Sequence, residues 1–233
     1  MRNSTRFLTA IFLLVASSSA FAHPGHNVSG FAAGLVHPFS GLDHLLAMVA
    51  VGLWAAQGSG RKRNPFAVSV SRSLLRYTAL RAALRTNGKF IEPLLQIFSE
   101  SPKIWLLPAT FMTMLAVGTS IAMQWQSLPQ VEAGIATSVL ALGLLIALSL
   151  QLPALLSVAI TALFGLLHGY AHGLELPQSA APAEYALGFL AATATLHLSG
   201  ITLGITTRQN YALLSRLLGS AIALSGAYLL ASA

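Results

Sequence analysis

The chain has 233 residues, 55% of them hydrophobic and only 8% charged, with a formal net charge of +7 and a mean hydropathy of +0.71. Soluble domains carry about 25% charged residues, so this composition places the chain among polytopic membrane proteins rather than soluble enzymes or nucleic-acid binders. Cysteine is absent, which excludes a disulfide framework and a thiolate metal site.

Residues 1–22 read as a secretory signal. Arg2 and Arg6 form a basic start, Phe7 to Val15 a short apolar core, and Ala20-Phe21-Ala22 an A-x-A cleavage site. The core is shorter than the ~20 residues a span needs, so cleavage is expected rather than an uncleaved first helix. The mature chain, 23–233, then begins at His23 outside the cytoplasmic membrane, in a bacterial-type envelope.

Apolar segments follow at about 29–56, 104–123, 131–150, 153–174, 184–206 and 211–231. The expected fold is all-α: six transmembrane helices in one domain, the third and fourth joined as a tight hairpin before Pro153. Glycine recurs in these segments, for example Gly143, Gly165, Gly188, Gly200 and Gly204, and small residues let membrane helices approach closely. Of the thirteen Lys and Arg, Arg2 and Arg6 precede the cleavage site, and the other eleven fall on one side of the predicted topology. That side is cytoplasmic by the positive-inside rule, in agreement with the cleaved signal.

Most of these cations lie in an extended basic loop, 58–103. Arg72, Arg76, Arg81 and Arg85 form pairs four apart among apolar residues, a pattern that suits a helix on an anionic membrane surface or a solvated insertion. Trp54, Trp105 and Trp125 stand near segment ends, as an aromatic belt would place them.

Chemistry concentrates in two stretches. In the first apolar segment, His37, Asp43 and His44 bracket Pro38 and Gly41. An Asp at membrane depth costs about 2.5–3.5 kcal/mol on insertion scales, and such residues usually mark function. Pro38 and Gly41 weaken a regular helix, so a local break is expected there. In the fourth, His168 and His172 are spaced i, i+4, with Glu175 at i+7. All three project from one helix face, a common arrangement for chelation. His197 in the fifth segment is an accessory candidate, as are His23 and His26 at the mature terminus, where free amine and imidazoles offer exposed ligands. Imidazole and carboxylate without thiolate suit Ni2+, Co2+, Zn2+ or Fe2+ and argue against Cu+. Paired histidines also ligate haem, but a carboxylate beside each pair favours a free cation. A non-transporting metal sensor is a further class.

At these residues the sequence resembles the HupE/UreJ family of bacterial nickel and cobalt permeases. The family's His-x5-Asp-His motif matches His37, Asp43 and His44. Its Phe-His-Gly-x-(Ala/Val)-His-Gly-x-Glu motif matches His168, Gly169, Ala171, His172, Gly173 and Glu175, with Leu167 in place of Phe. The resemblance covers most of the chain outside about 58–103. It implies import of Ni2+ or Co2+ across the inner membrane, with His37, Asp43, His44, His168, His172 and Glu175 as metal positions. It also implies the ion as cargo with no resident cofactor, the lipid bilayer as surroundings, no nucleic acid, and hydrogenase or urease maturation factors as cytoplasmic partners.

Overall fold

The computed structural model describes residues 30–59, 102–124, 130–175, 182–210 and 212–232. The signal segment 1–22, His23, His26, Trp125 and most of the basic loop 58–103 lie outside the described residues. Among the described residues there are seven α-helices and no strand. They are α1 (Phe31–Ser40), α2 (Leu42–Ser59), α3 (Leu106–Ala122), α4 (Val131–Ala147), α5 (Ala154–Leu174), α6 (Pro182–Asn210) and α7 (Ala212–Ser232), with a 3-10 turn at Pro102–Trp105 leading into α3. In an apolar medium a helix satisfies its own backbone groups, so long Leu/Ala/Val runs become helices.

Four helical stretches are long and apolar enough to cross a membrane: Lys103–Ala122, Ala154–Leu174, Pro182–Thr207 and Ala212–Ser232. The other two expected spans differ. α4 has 17 residues, about 26 Å at 1.5 Å per residue, against a hydrocarbon core of about 30 Å. It stops because Ser149 turns left-handed at φ 52° and the Leu150 N–H returns to the Leu145 carbonyl at 2.9 Å. The first segment is a bent pair, α1 and α2 meeting at 87°. Pro38 removes a donor in the last turn of α1, and Gly41 is extended at φ −103°, ψ 123°. The break expected from Pro38 and Gly41 is therefore present.

Three helix pairs organise the bundle, and each closes on glycine. A methyl group on Gly52 of α2 would overlap the His197 carbonyl of α6, and one on Gly200 the Val49 carbonyl. α1 packs on α6 earlier along that helix, at Gly34 and Gly188, and α2 runs parallel to α6 from Gly52 and Gly200 to Ala56 and Gly204. α3 and α5 also run parallel, with Gly165 against Phe111, Gly169 against Leu115 and Gly173 against Thr119. α4 and α7 are antiparallel, with Gly143 against Ala223 and Gly226 against Leu140. The dry core gathers where α2, α3, α4 and α6 meet, with Leu53, Ile104, Phe111, Ile146, Ile201 and Ile205 fully buried. Trp54 departs from the belt expectation. It is buried, and its indole N–H donates to the Leu150 carbonyl at 3.3 Å, tying α2 to the connection between α4 and α5.

The close approach of α4 and α7 is far from the polar residues. Gly143→Leu should cost about 1–3 kcal/mol or more through overpacking. The expected readout is a lower thermal midpoint in detergent, while Leu144→Ala, at a position exposed on the bundle surface, leaves the midpoint nearly unchanged.

Candidate metal centre

The polar residues meet where α1, α2 and α5 converge. His37 lies in the last turn of α1 and His44 in the first turn of α2. The sequence spacing alone puts them on one helix face, but they stand on either side of the 87° bend. His172 is in the last turn of α5, and Glu175 caps that helix. One ligand atom from each of His37, His44, His172 and Glu175 lies within 4.8 Å of the other three.

Three of these atoms form a tight triangle. His37 Nε2 is 3.0 Å from His172 Nδ1 and 3.1 Å from Glu175 Oε2, and His172 Nδ1 is 3.6 Å from the same oxygen. At a metal–ligand bond of about 2.1 Å, neighbouring ligands are about 3.0 Å apart in an octahedron and about 3.4 Å in a tetrahedron. The observed edges bracket both values, so a first-row divalent cation fits the triangle with little rearrangement. The imidazoles of His172 first, and then His37, hold the Glu175 carboxyl well below the usual carboxylate range. With Asp43 behind His44, the two carboxylates match the charge of one divalent ion.

Asp43 supports the site from behind. Its Oδ1 accepts from the His44 backbone N–H at 2.8 Å and from His44 Nδ1–H at 2.6 Å. That bond fixes the proton on Nδ1 and leaves His44 Nε2 as the lone-pair nitrogen, as carboxylate partners of metal-ligating imidazoles do. His168 stands one turn deeper than His172 and outside the group of four. Its Nδ1–H donates to the Phe164 carbonyl at 2.8 Å, and its ring centroid is 5.5 Å from that of His44. His197 is deeper still, donating through Nδ1–H to the Met48 carbonyl at 2.7 Å. The structure thus brings together His37, His44, His172 and Glu175, and sets Asp43, His168 and His197 around or below them.

Four imidazoles share one feature. The Nε2 atoms of His44, His168, His172 and His197 are buried with no hydrogen-bond partner in the protein. A buried unpartnered polar atom costs about 1–3 kcal/mol. Repeated four times, that forgoes a large part of an ordinary domain's stability of about 5–15 kcal/mol. In His44, His168 and His197 an oxygen holds the Nδ1–H, so the buried Nε2 is a lone pair, and such a cost is intelligible when these lone pairs serve a ligand; in His172, whose Nδ1 faces the triangle, Nε2 carries the proton.

Aromatic residues that the sequence did not single out enclose the site. Phe189 packs 4.2 Å from the His172 ring and Tyr185 5.9 Å from that of His37, measured between centroids. An apolar cavity of about 270 Å3 reaches His172 between α3 and the start of α6, past Thr119, Tyr185 and Phe189.

A family model described as HupE / UreJ protein matches residues 11–86 and 93–229, entering the basic stretch 58–103 from both sides. The chain is 34% identical over 227 residues to Protein HupE of Rhizobium leguminosarum bv. viciae, with 97% of each chain covered. No solved structure matches it.

Asp43 gives the test of this geometry. Asp43→Asn keeps the shape but frees the His44 tautomer, and should weaken Ni2+ binding by about 10–100-fold. Calorimetric titration of the detergent-solubilised protein reads the change, and an unaltered affinity would remove Asp43 from the centre.

Proposed function

The chain belongs to the HupE / UreJ family, and from that premise we propose that it is a divalent-metal permease. Its cargo is Ni2+, with Co2+ as the second candidate, carried inward across the cytoplasmic membrane for hydrogenase or urease maturation. The observation that carries this reading is the group of His37, His44, His172 and Glu175, whose ligand atoms come from both sides of the α1–α2 break and from the end of α5. Imidazole with carboxylate suits Ni2+ and Co2+. A haem is disfavoured, since the rings of His37, His44 and His172, with centroids 4.2–6.2 Å apart, leave no slot for a macrocycle.

In this reading α1 and α2 form one broken span and α4 a short one, giving six crossings. Residues 1–22 are removed as a signal, the mature N-terminus is periplasmic, and the basic residues stay in the cytoplasm. Bent helices at membrane depth are tolerated where they line a cavity or a binding site, and the break at Gly41 sits at the ligand group. Ni2+ enters from the periplasmic side beside Glu175, which is the most exposed of the four ligand residues. An inward divalent ion gains about 4.6 kcal/mol per 100 mV of membrane potential, enough to drive uptake without nucleotide. Maturation factors would receive the ion on the cytoplasmic side.

Acidification should weaken binding. Ligating imidazoles must be neutral, so protons compete with the ion. Glu175 is already ionised well above its lowered pKa, so the competition with protons falls on the imidazoles, and a titration of metal affinity against pH reads the loss. The decisive assay is uptake of radiolabelled Ni2+ by proteoliposomes. His44→Ala and His172→Ala should each reduce flux by about 100-fold or more, as loss of a transport ligand would, and Co2+ should compete better than Mg2+. Metal binding without any wild-type flux would overturn the permease and favour a sensor.

A further inference from the structure

We propose that His197, with His168, forms an inner ion-transfer station one step below the outer ligand group, separated from the cytoplasmic side by the dry core. The inference rests on the permease reading and extends it to a residue outside both sequence motifs.

Successive turns of α6 place Tyr185, Phe189, Thr193 and His197 along one stripe, and all four are buried. His197 lies twelve residues beyond Tyr185, about 18 Å along the helix axis, or roughly halfway across a bilayer core. His168 descends in step on α5, one turn below His172. Both imidazoles pack on the fully buried Phe111 ring, with centroids 5.4 Å and 5.2 Å away.

A cross-helix strut would explain only half of His197. Its Nδ1–H to the Met48 carbonyl at 2.7 Å joins α6 to α2, and a glutamine amide could make that bond. It would not explain the second nitrogen, which is buried without a partner. His44 and His168 show the same arrangement: Nδ1 is held by an oxygen at 2.6 Å or 2.8 Å, and Nε2 is left free. Pinning one nitrogen to fix the other as a lone pair is how proteins orient metal-ligating histidines. Below this level the lining turns apolar, with Leu53, Ile104, Ile201 and Ile205 fully buried. An ion passed from His44 to His168 therefore finds His197 as the next nitrogen on the way inward.

Two substitutions separate ligand from strut. His197→Gln keeps an amide donor for Met48. It should lower Ni2+ uptake by about tenfold or more while Ni2+ affinity at the outer group, measured in detergent, stays unchanged. Wild-type uptake by this variant would overturn the proposal. His197→Cys places the only thiol in the chain, since the protein has no cysteine. Cd2+ added to this variant in detergent should produce a thiolate-to-cadmium ultraviolet absorption, weakened by the further change His168→Ala. No absorption at Cd2+ levels that saturate the outer group would also overturn the proposal. This second readout needs no transport. If wild-type liposomes carry no flux and the absorption still appears, the permease reading fails and the inner ligand position stands.

Discussion

The break at Gly41 is the constraint on which the rest depends. A straight helix through residues 31–59 would carry His37 and His44 down one stripe, two turns apart. The 87° bend instead turns the end of α1 and the start of α2 toward the same point. There both imidazoles meet the last turn of α5, with the ring centroids of His37 and His44 each within 4.9 Å of that of His172. The bend also places the first backbone N–H groups of α2 at the site, where Asp43 takes one of them and locks His44 in the same gesture. Pro38 and Gly41 make this turn tolerable, since one lacks a donor and the other has no Cβ to crowd the Asp43 carboxylate and the His44 ring.

Holding so many half-satisfied imidazoles inside an apolar bundle needs compensation from elsewhere. Hydrophobic burial does not drive helices together in lipid, so close van der Waals packing must. The glycine contacts of α2 with α6, and of α3 with α5, supply it on both sides of the site. Thr119 adds a bond across the second pair, donating to the Gly169 carbonyl at 3.0 Å beside His168. The stable parts of the protein are the paired helices, and the costly part is the seam between them.

Much of this was legible in the sequence because contrast carries information. Histidines and carboxylates stand out in apolar runs, so the two motif stretches, the accessory His197 and the helix break were readable from residue type and spacing. The family followed from the same residues. Partners were less legible. The i, i+4 spacing of His168 and His172 gives a shared face but not the neighbour each meets: His172 joins His37 and Glu175, while His168 stands a turn away with its ring centroid 5.5 Å from that of His44. Asp43 was read from the sequence as a metal position, and its bond to His44 Nδ1 came only with the structure. Phe111, Tyr185 and Phe189 were invisible because an aromatic residue among apolar residues has no contrast. Trp54 misled for a related reason, since a tryptophan near a segment end reads equally as belt or core. Six spanning segments were read, the third at about 131–150, but hydropathy cannot report the early stop at Ser149, which is a backbone event.

The candidate ligands divide between two groups of helices. His37, His44 and His197 belong to the unit of α1, α2 and α6, while His168, His172 and Glu175 belong to the unit of α3 and α5. Within each unit the helices touch backbone to backbone at glycine. Between the units the contacts are chiefly side chains around the site, and below it the apolar contacts of Leu53, Ile104, Phe111 and Ile201. An ion bound by His37 and His44 on one side and by His172 and Glu175 on the other would tie the units together at the Glu175 end. It would also neutralise the two carboxylates. Strengthening the seam at the Glu175 end biases any relative motion of the units toward opening at the opposite end, where Leu53, Ile104, Phe111 and Ile201 meet. For a permease, that makes binding the ion and releasing it inward two consequences of one division of ligands.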